Sequence, residues 1–445
     1  MVKNDFKYYY VREIIMDNQS FSLPSYKRSR WAYTLECAFE YFIALLVSDV
    51  FLATLLSEMG IPDSVIGIIS SLISFAFLFQ LFSLFIVQHI RNVKLVAVPI
   101  HLVSQMFFIL LYLLPFFNIP HTLRTAVIIG CILLAYFGNY LVTSLIFNWG
   151  NSYVEPSNRA GFAARKEIIS LLSGIIVSLS MGYAIDLFIE NGNIKGGFIL
   201  IAAVMLASSL CDFICLMLMK NQKREKTQGE KSEPFWQTVR ILFSNKSYVY
   251  TVILHSIFNF GVHITSGFMG IYKTKDLLIS VGVVQIINIA AALARAVFSM
   301  PIALYSSKKS YAKGIMLGMF IAALSFLFNI FSSPSHWWFV ILYTVLYNIS
   351  CAVTGQNMLN MLYSYVDKKY FVQASAIKSS VSGILGFLAS VIGGYIVDAV
   401  QKNGNTVFGI TVYAQQLLSA ISLVFLIVGI VFVKLVLSRQ REIAK

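Results

Sequence analysis

Charge is scarce in this chain. Of its 445 residues, 12% are Asp, Glu, Lys or Arg, against about 25% in water-soluble domains. By contrast, 58% are hydrophobic and the mean hydropathy is +0.75. This balance excludes an ordinary soluble fold and points to a membrane. Cysteine is sparse as well: Cys37, Cys131, Cys211, Cys215 and Cys351 all lie inside apolar segments. No loop disulfide is expected, and Cys211 with Cys215 lacks nearby partners for a tetrahedral metal site, so no metal is expected either. Acidic residues are outnumbered, 20 against 34 basic, for a net charge of +14. Basic residues beside apolar runs read as topology signals and contacts with anionic lipid, which argues against a nucleic-acid partner. The sequence also has no Gly-x-Ser-x-Gly elbow, no His-Glu-x-x-His pair and no phosphate-cradling glycine loop. No enzyme, catalytic residue, cofactor or nucleotide-driven pump is therefore expected. Residues 1–30 are polar, basic and aromatic, so no cleavable signal peptide is expected at the start.

What is present is a duplication. Residues 148–193 align without a gap on residues 360–405, and 15 of the 46 pairs are identical, where composition alone gives roughly four. Lys166, Ser170, Gly174, Ser178, Gly182 and Asp186 recur as Lys378, Ser382, Gly386, Ser390, Gly394 and Asp398, each four residues after the last. That spacing makes one ridge of a helix. In water such a ridge costs helix stability, whereas in lipid small residues let two backbones approach closely. The ridges are expected to pack across the seam between two halves, span 5 against span 8 and span 11 against span 2, with Gly174, Gly182, Gly386 and Gly394 at the contact.

Apolar runs of the roughly 20 residues needed to cross a bilayer follow one another from Trp31. Twelve spans are expected, at 32–57, 63–88, 95–118, 124–148, 168–189, 196–219, 247–271, 277–304, 313–332, 337–362, 379–400 and 412–436. On this count the tails and even loops hold 28 of the 34 basic residues and the odd loops five, with Arg295 inside span 8. The positive-inside rule then places both termini in the cytoplasm of a multi-pass plasma-membrane protein. The expected organisation is a cytoplasmic segment 1–30, a six-helix bundle 31–219, a cytoplasmic linker 220–246, a second bundle 247–437 and a tail 438–445. Six spans, an even number, separate the repeats. The halves therefore share one orientation about an axis along the membrane normal, the parallel repeat seen in major facilitator proteins.

The loops carry the same resemblance. Val154, Glu155, Pro156, then Arg159, Ala160, Gly161 and Phe162, running into Arg165 and the span ending Gly182, Tyr183, Ala184, Ile185, Asp186, resemble the loop between spans 4 and 5 of bacterial major facilitator transporters. Leu293, Ala294, Arg295 through Ser299, Met300, Pro301 resemble that family's span 8. The loop Gln88, His89, Ile90, Arg91, Asn92, Val93, Lys94 departs from the family pattern: it has no glycine or aspartate, and only Arg91 and Lys94 stand for the usual basic cluster. The resemblance implies an all-α integral membrane protein of twelve transmembrane helices, with spans 1, 4, 7 and 10 around a central cavity.

An ionisable residue inside a span costs roughly 2.5–3.5 kcal/mol on insertion scales, so it needs a partner or a water-filled cavity. Span 1 holds Glu36, Glu40 and Asp49. On a straight helix Glu36 and Glu40 lie about 40° apart and Asp49 about 180° from Glu40. Glu36 reads as an end-of-helix residue near the headgroups, and Glu40 as the coupling candidate. A kink in span 1 changes that ranking. Span 7 shows His255, Asn259 and His263 at steps of four. Span 8 shows Gln285, Asn288, Ala292 and Arg295, with Arg295 expected at a gate. Span 4 offers Asn139, and span 10 Asn348 and Gln356. The expected substrate cavity is thus Glu40, Asn139, His255, Asn259, His263, Asn348 and Gln356, with Glu40 and Arg295 for coupling or gating. Asp212 in span 6 has no visible partner in the sequence. The expectation is a monomeric secondary transporter of a small solute, working by alternating access, with proton coupling as an option. The alternative is a membrane sensor or scaffold that retains the fold.

Overall fold

The structure, a computed structural model, describes residues 23–87, 90, 92–155, 158–221, 234–407 and 409–439. Gln88, His89, Arg91, Gly229, the N-terminal 22 residues and the last six lie outside the described residues. Among the described residues, eleven helices are long and apolar enough to cross a membrane, and the bent pair Pro24–Leu46 and Asp49–Glu58, taken as one span, makes a twelfth. That pair is span 1. Spans 2 to 6 are Asp63–Ser83, Val93–Phe116, Leu123–Asn151, Gly161–Glu190 and Ile194–Leu218. Spans 7 to 12 are Lys246–Asp276, Val281–Lys309, Tyr311–Ile330, Phe339–Tyr365, Phe371–Lys402 and Ala414–Leu435. The helices of spans 5 and 11 begin at Arg159 and Phe371, ahead of the expected 168 and 379. Backbone hydrogen bonding does not stop where the apolar run stops, so Arg165, Lys166 and Lys378 stand on helical turns.

Short polar side chains start several spans. Asn92, Asn193, Asn245, Ser280 and Ser310 each accept from a backbone N–H in the first turn of the helix that follows, satisfying donors that have no intrahelical partner. The duplicated Asn-Gly-Asn segments end their helices alike. Gly192 and Gly404 both have φ +66°, and the next residue donates back to the helix, Asn193 N to Phe188 O at 2.9 Å and Asn405 N to Val400 O at 3.0 Å. Only glycine takes that left-handed turn without a Cβ penalty, which explains why both copies retain it. A two-residue hairpin, Thr406–Val407 with Ile410–Thr411, follows the second of these turns.

Span 1 packs on spans 5 and 6, and span 3 on spans 4 and 6; in the second half span 7 packs on spans 11 and 12, and span 9 on spans 10 and 12. Between the halves, span 5 meets span 8 and span 2 meets span 11. The small-residue ridges divide along their length. A Cβ on Gly182 would meet Gln285 and Gly282 of span 8, and one on Gly394 would meet Ile68 and Ser64 of span 2. Gly174 instead faces Tyr41 and Leu45 of span 1, and Gly386 faces His263 and Asn259 of span 7. The upper glycines thus close the seam, while Gly174 and Gly386 seat each ridge on the first span of its own half. Here the arrangement differs from the expectation of a ridge facing the other half throughout, because a helix row drifts around its axis and successive turns meet different neighbours.

Leucine at Gly182 or Gly394 is expected to wedge the halves apart. Overpacking of this kind costs about 1–3 kcal/mol, so either variant should be less thermally stable than its parent with membrane insertion unchanged. Yield in the membrane fraction and melting temperature in detergent, measured side by side, check this. An unchanged melting temperature in Gly394→Leu would remove the argument.

Candidate functional site

The seam is fastened at the end of the bundle away from the chain termini. The break in span 1 after Leu46 bends it by 44° and puts Asp49 at φ 45°. Its carboxylate then takes hydrogen bonds from Lys273 Nζ at 3.2 Å and Asn288 Nδ2 at 3.1 Å, both from the second half. Asp63 at the start of span 2 receives Lys275 Nζ at 2.8 Å and Gln401 Nε2 at 2.8 Å. Asp186, at the end of span 5, accepts Val281 N at 2.8 Å and Gly282 N at 2.7 Å. A carboxylate there answers the unpaired N–H groups and the positive dipole end of span 8. Three carboxylates of the first half therefore hold one end of the seam shut.

Toward the other end, spans 5 and 8 part. Ile168 and Leu172 are 54% and 58% exposed, and Leu293 and Val297 54% and 67%. Between them lies a hollow of about 230 Å³ walled by Tyr41, Ser48 and Asp49 of span 1, Gly174 and Ser178 of span 5, and Gln285 and Asn288 of span 8. Ser178 Oγ donates to Gln285 Oε1 at 2.6 Å on its wall. A second hollow of about 280 Å³ lies inside the first half, among spans 1 to 4. Cys37, Glu40, Gln105, Tyr136 and Asn139 line it, and Tyr41 and Ser48 are walls of both.

The expected cavity residues are distributed unevenly. Glu40 and Asn139 stand together in the second hollow. Glu40 is half-buried and has no hydrogen bond or ion pair among the described residues, while Asn139 accepts from Thr143 Oγ1 at 2.8 Å. His255 Nδ1 lies 2.7 Å from Ser382 Oγ of span 11. His263 Nε2 lies 3.0 Å from Ser74 Oγ of span 2, across the seam. Asn259 is buried beside Gly386. Asn348 donates back to Thr344 O at 2.9 Å, and exposed Gln356 to Asn360 Oδ1 at 3.5 Å. None of these five second-half residues walls either hollow. Arg295 is exposed on span 8, and its guanidinium has no hydrogen bond or ion pair among the described residues.

Two residues of span 1 read differently from the expectation. Glu36 is 1% exposed, so it is no headgroup residue. Its neighbour there is Asp212, whose partners are His101 Nε2 at 3.1 Å and Gln105 Nε2 at 3.0 Å. Asp49, on the far side of a straight span 1, is brought to the seam by the bend. His101 and Gln105 escaped sequence reasoning. The available signal was their i, i+4 spacing in span 3, which puts two polar side chains on one helix face.

Residues 251–444 match the family model of the Major Facilitator Superfamily. No curated protein matches the chain by sequence. Among solved structures, a mutant of the nucleoside transporter NupG matches with TM-score 0.72 and 13% identity, over 91% of this chain and 99% of that one. A bacterial homologue of the human lysosomal transporter Spinster matches with TM-score 0.63 and 13% identity, over 93% and 97%. A POT family transporter in complex with 5-aminolevulinic acid matches with TM-score 0.62 and 16% identity, over 94% and 96%. At such identities these structures speak for the fold. The family match covers the second half, the duplication relates the first half to it, and these solved transporters share the fold across both.

Proposed function

We propose that this protein is a secondary transporter that moves a small solute by alternating access, with Glu40 as its protonatable coupling residue. The observation that carries the reading is the asymmetry of the seam. Charged and capping contacts of Asp49, Asp63 and Asp186 fasten one end, while the spans part around a hollow at the other. Such a bundle rocks by exchanging which end is fastened. The solute sits in the hollow that Glu40, Tyr41 and Asn139 line, with Arg295 as the cation at the mouth. His255, His263 and Asn259 tune the seam between spans 7, 11 and 2. Asn348 and Gln356 join the cavity as the second half turns. The bundles are 31–219 and 247–437, and the protein acts as a monomer in the plasma membrane.

Uptake into proteoliposomes tests this, with nucleosides, peptides, sugars and amphipathic cations as labelled solutes, with and without a proton gradient. Saturable, counterflow-competent uptake of one class is the expected result. Binding without flux for every class would favour the sensor or scaffold reading.

Topology is the companion prediction. Reporter fusions at Gly192 and Gly229 are expected on opposite sides, Gly229 cytoplasmic, because basic residues crowd the even loops. Matching sidedness would sink the twelve-span orientation.

A further inference from the structure

Spans 1, 3 and 6 enclose a polar cluster that the transport reading does not use. Glu36, His101 and Asp212 are each 1% exposed and Gln105 is 2% exposed. One ligand atom from each of Glu36, His101 and Asp212 falls within 4.8 Å of the others. His101 Nε2 lies 3.1 Å from Asp212 Oδ2, and Gln105 Nε2 lies 2.8 Å from His101 Nε2 and 3.0 Å from Asp212 Oδ2.

Hydrogens alone satisfy this triangle poorly. If His101 Nε2 carries a hydrogen, it donates to Asp212 but meets a second donor in Gln105. If it carries none, its lone pair faces a carboxylate. Turning the Gln105 amide over, an assignment that rests on its surroundings, sets its oxygen against Asp212 while that carboxylate is ionised. A proton shared by Asp212 and His101 relieves one edge, yet His101 Nδ1, Gln105 Oε1 and Asp212 Oδ1 stay buried with no hydrogen-bond partner among the described residues. Each such buried group costs about 1–3 kcal/mol.

A cation removes the conflict, since an imidazole nitrogen, two carboxylates and a carboxamide oxygen then all act as acceptors toward one charge. Ligand atoms about 2.0–2.2 Å from a common centre lie no more than about 4.4 Å apart, close to the spread seen here. Two carboxylates balance a divalent charge, and an imidazole favours a first-row transition ion over Mg²⁺ or Ca²⁺. We infer that Glu36, His101 and Asp212, with Gln105 as fourth ligand, form a site for a divalent transition-metal ion. The three ligands are buried behind the wall of the solute hollow and come from spans 1, 3 and 6, which the ion ties together. The ion is therefore resident and not the cargo. Gln105 is also a wall of the 280 Å³ hollow, and Cys37 on the same wall donates to Glu36 at 3.1 Å. The hollow is the ion's route in.

The test uses tag-free, full-length protein in detergent, stripped with chelator and then offered Zn²⁺, Mn²⁺, Co²⁺, Mg²⁺ or Ca²⁺ singly. Mass spectrometry of the desalted protein should find about one Zn²⁺, Mn²⁺ or Co²⁺ per chain and neither Mg²⁺ nor Ca²⁺. Affinity should fall at least tenfold in His101→Gln and in Asp212→Asn, and stay unchanged in Asp398→Asn, whose carboxylate is on the surface. Should the variants fail to fold, the Co²⁺ spectrum of the wild type still decides: nitrogen and oxygen coordination supports the site, and a sulfur charge-transfer band overturns it. Monodisperse wild type that binds no transition ion would also overturn it, leaving the cluster as a proton-sharing group. Undiminished binding by the Asp212→Asn/His101→Gln double variant would do the same.

Discussion

Glu40→Gln protein, reconstituted with a proton gradient, is expected to equilibrate solute without concentrating it, while its exchange of internal for external solute stays within about twofold of wild type. The argument begins with cost. A charged carboxylate inside a span costs roughly 2.5–3.5 kcal/mol on insertion scales. That cost is offset by a partner, by water or by a proton. Glu40 is half-buried on the wall of the 280 Å³ hollow and has no ion pair or hydrogen bond among the described residues. A proton, or a solute cation that takes its place, is then the natural partner, and its capture and release can follow which end of the bundle is open. Glutamine keeps the volume and hydrogen-bonding capacity of the protonated form, so binding and rocking persist and only net proton release is lost. The accumulation ratio should drop to about one, whereas a rocking defect would lower exchange equally. If the variant still concentrates solute under a proton gradient, Glu40 is a structural residue. The companion carboxylates do not compete for this role: Glu36 is enclosed with His101 and Asp212, and Asp49 is engaged by Lys273 and Asn288.

The fold was legible for a physical reason. Lipid cannot satisfy a backbone, so the crossings here are apolar helices, broken only where protein covers the break as in span 1, and apolar runs of that length are visible in any window. The duplication added the arrangement, since Gly174 and Gly386, or Gly192 and Gly404, mark equivalent turns. The site was less legible because helical periodicity tells which residues share a face and not what covers it. His255, Asn259 and His263 do share one side of span 7, but Ser382, Gly386 and Ser74 cover it. Depth along span 1 was misjudged for Glu36 because spans 3 and 6 wrap that part of the helix. Asp212 could not be matched to His101 from sequence, since two spans far apart in the chain carry them and only packing brings them together. The bend that delivers Asp49 to the seam is written in no proline or glycine. Its accompaniment is the pair of contacts that Asp49 makes with Lys273 and Asn288.

Asp49→Ala is expected to move the halves apart at the end that they now close. Lys273 is 3% exposed, and its ammonium is held by the Asp49 carboxylate at 3.2 Å. Removing one member of a buried ion pair costs about 3–5 kcal/mol, because the charge left behind has neither water nor counter-ion. Asp49 is itself 31% exposed, so the lower figure applies, and about 3 kcal/mol shifts a two-state equilibrium by roughly a hundredfold. Opening this end lets water reach Lys273, so the penalty falls on the closed state alone. Spin labels at Asn191 and Asn403, on a background with the five cysteines replaced, should report a longer distance in Asp49→Ala than in its parent. Adding Lys273→Met should return the distance toward that of the parent, since removing both charges leaves nothing unpaired and an apolar chain packs in their place. An Asp63→Ala change should act in the same direction but more weakly, as Lys275 is 56% exposed and keeps its water. If Asp49→Ala leaves the distance unaltered, or if the double variant opens as far as the single one, the pair does not latch the seam, and the Asp186 contacts with the start of span 8 must hold that end closed without it.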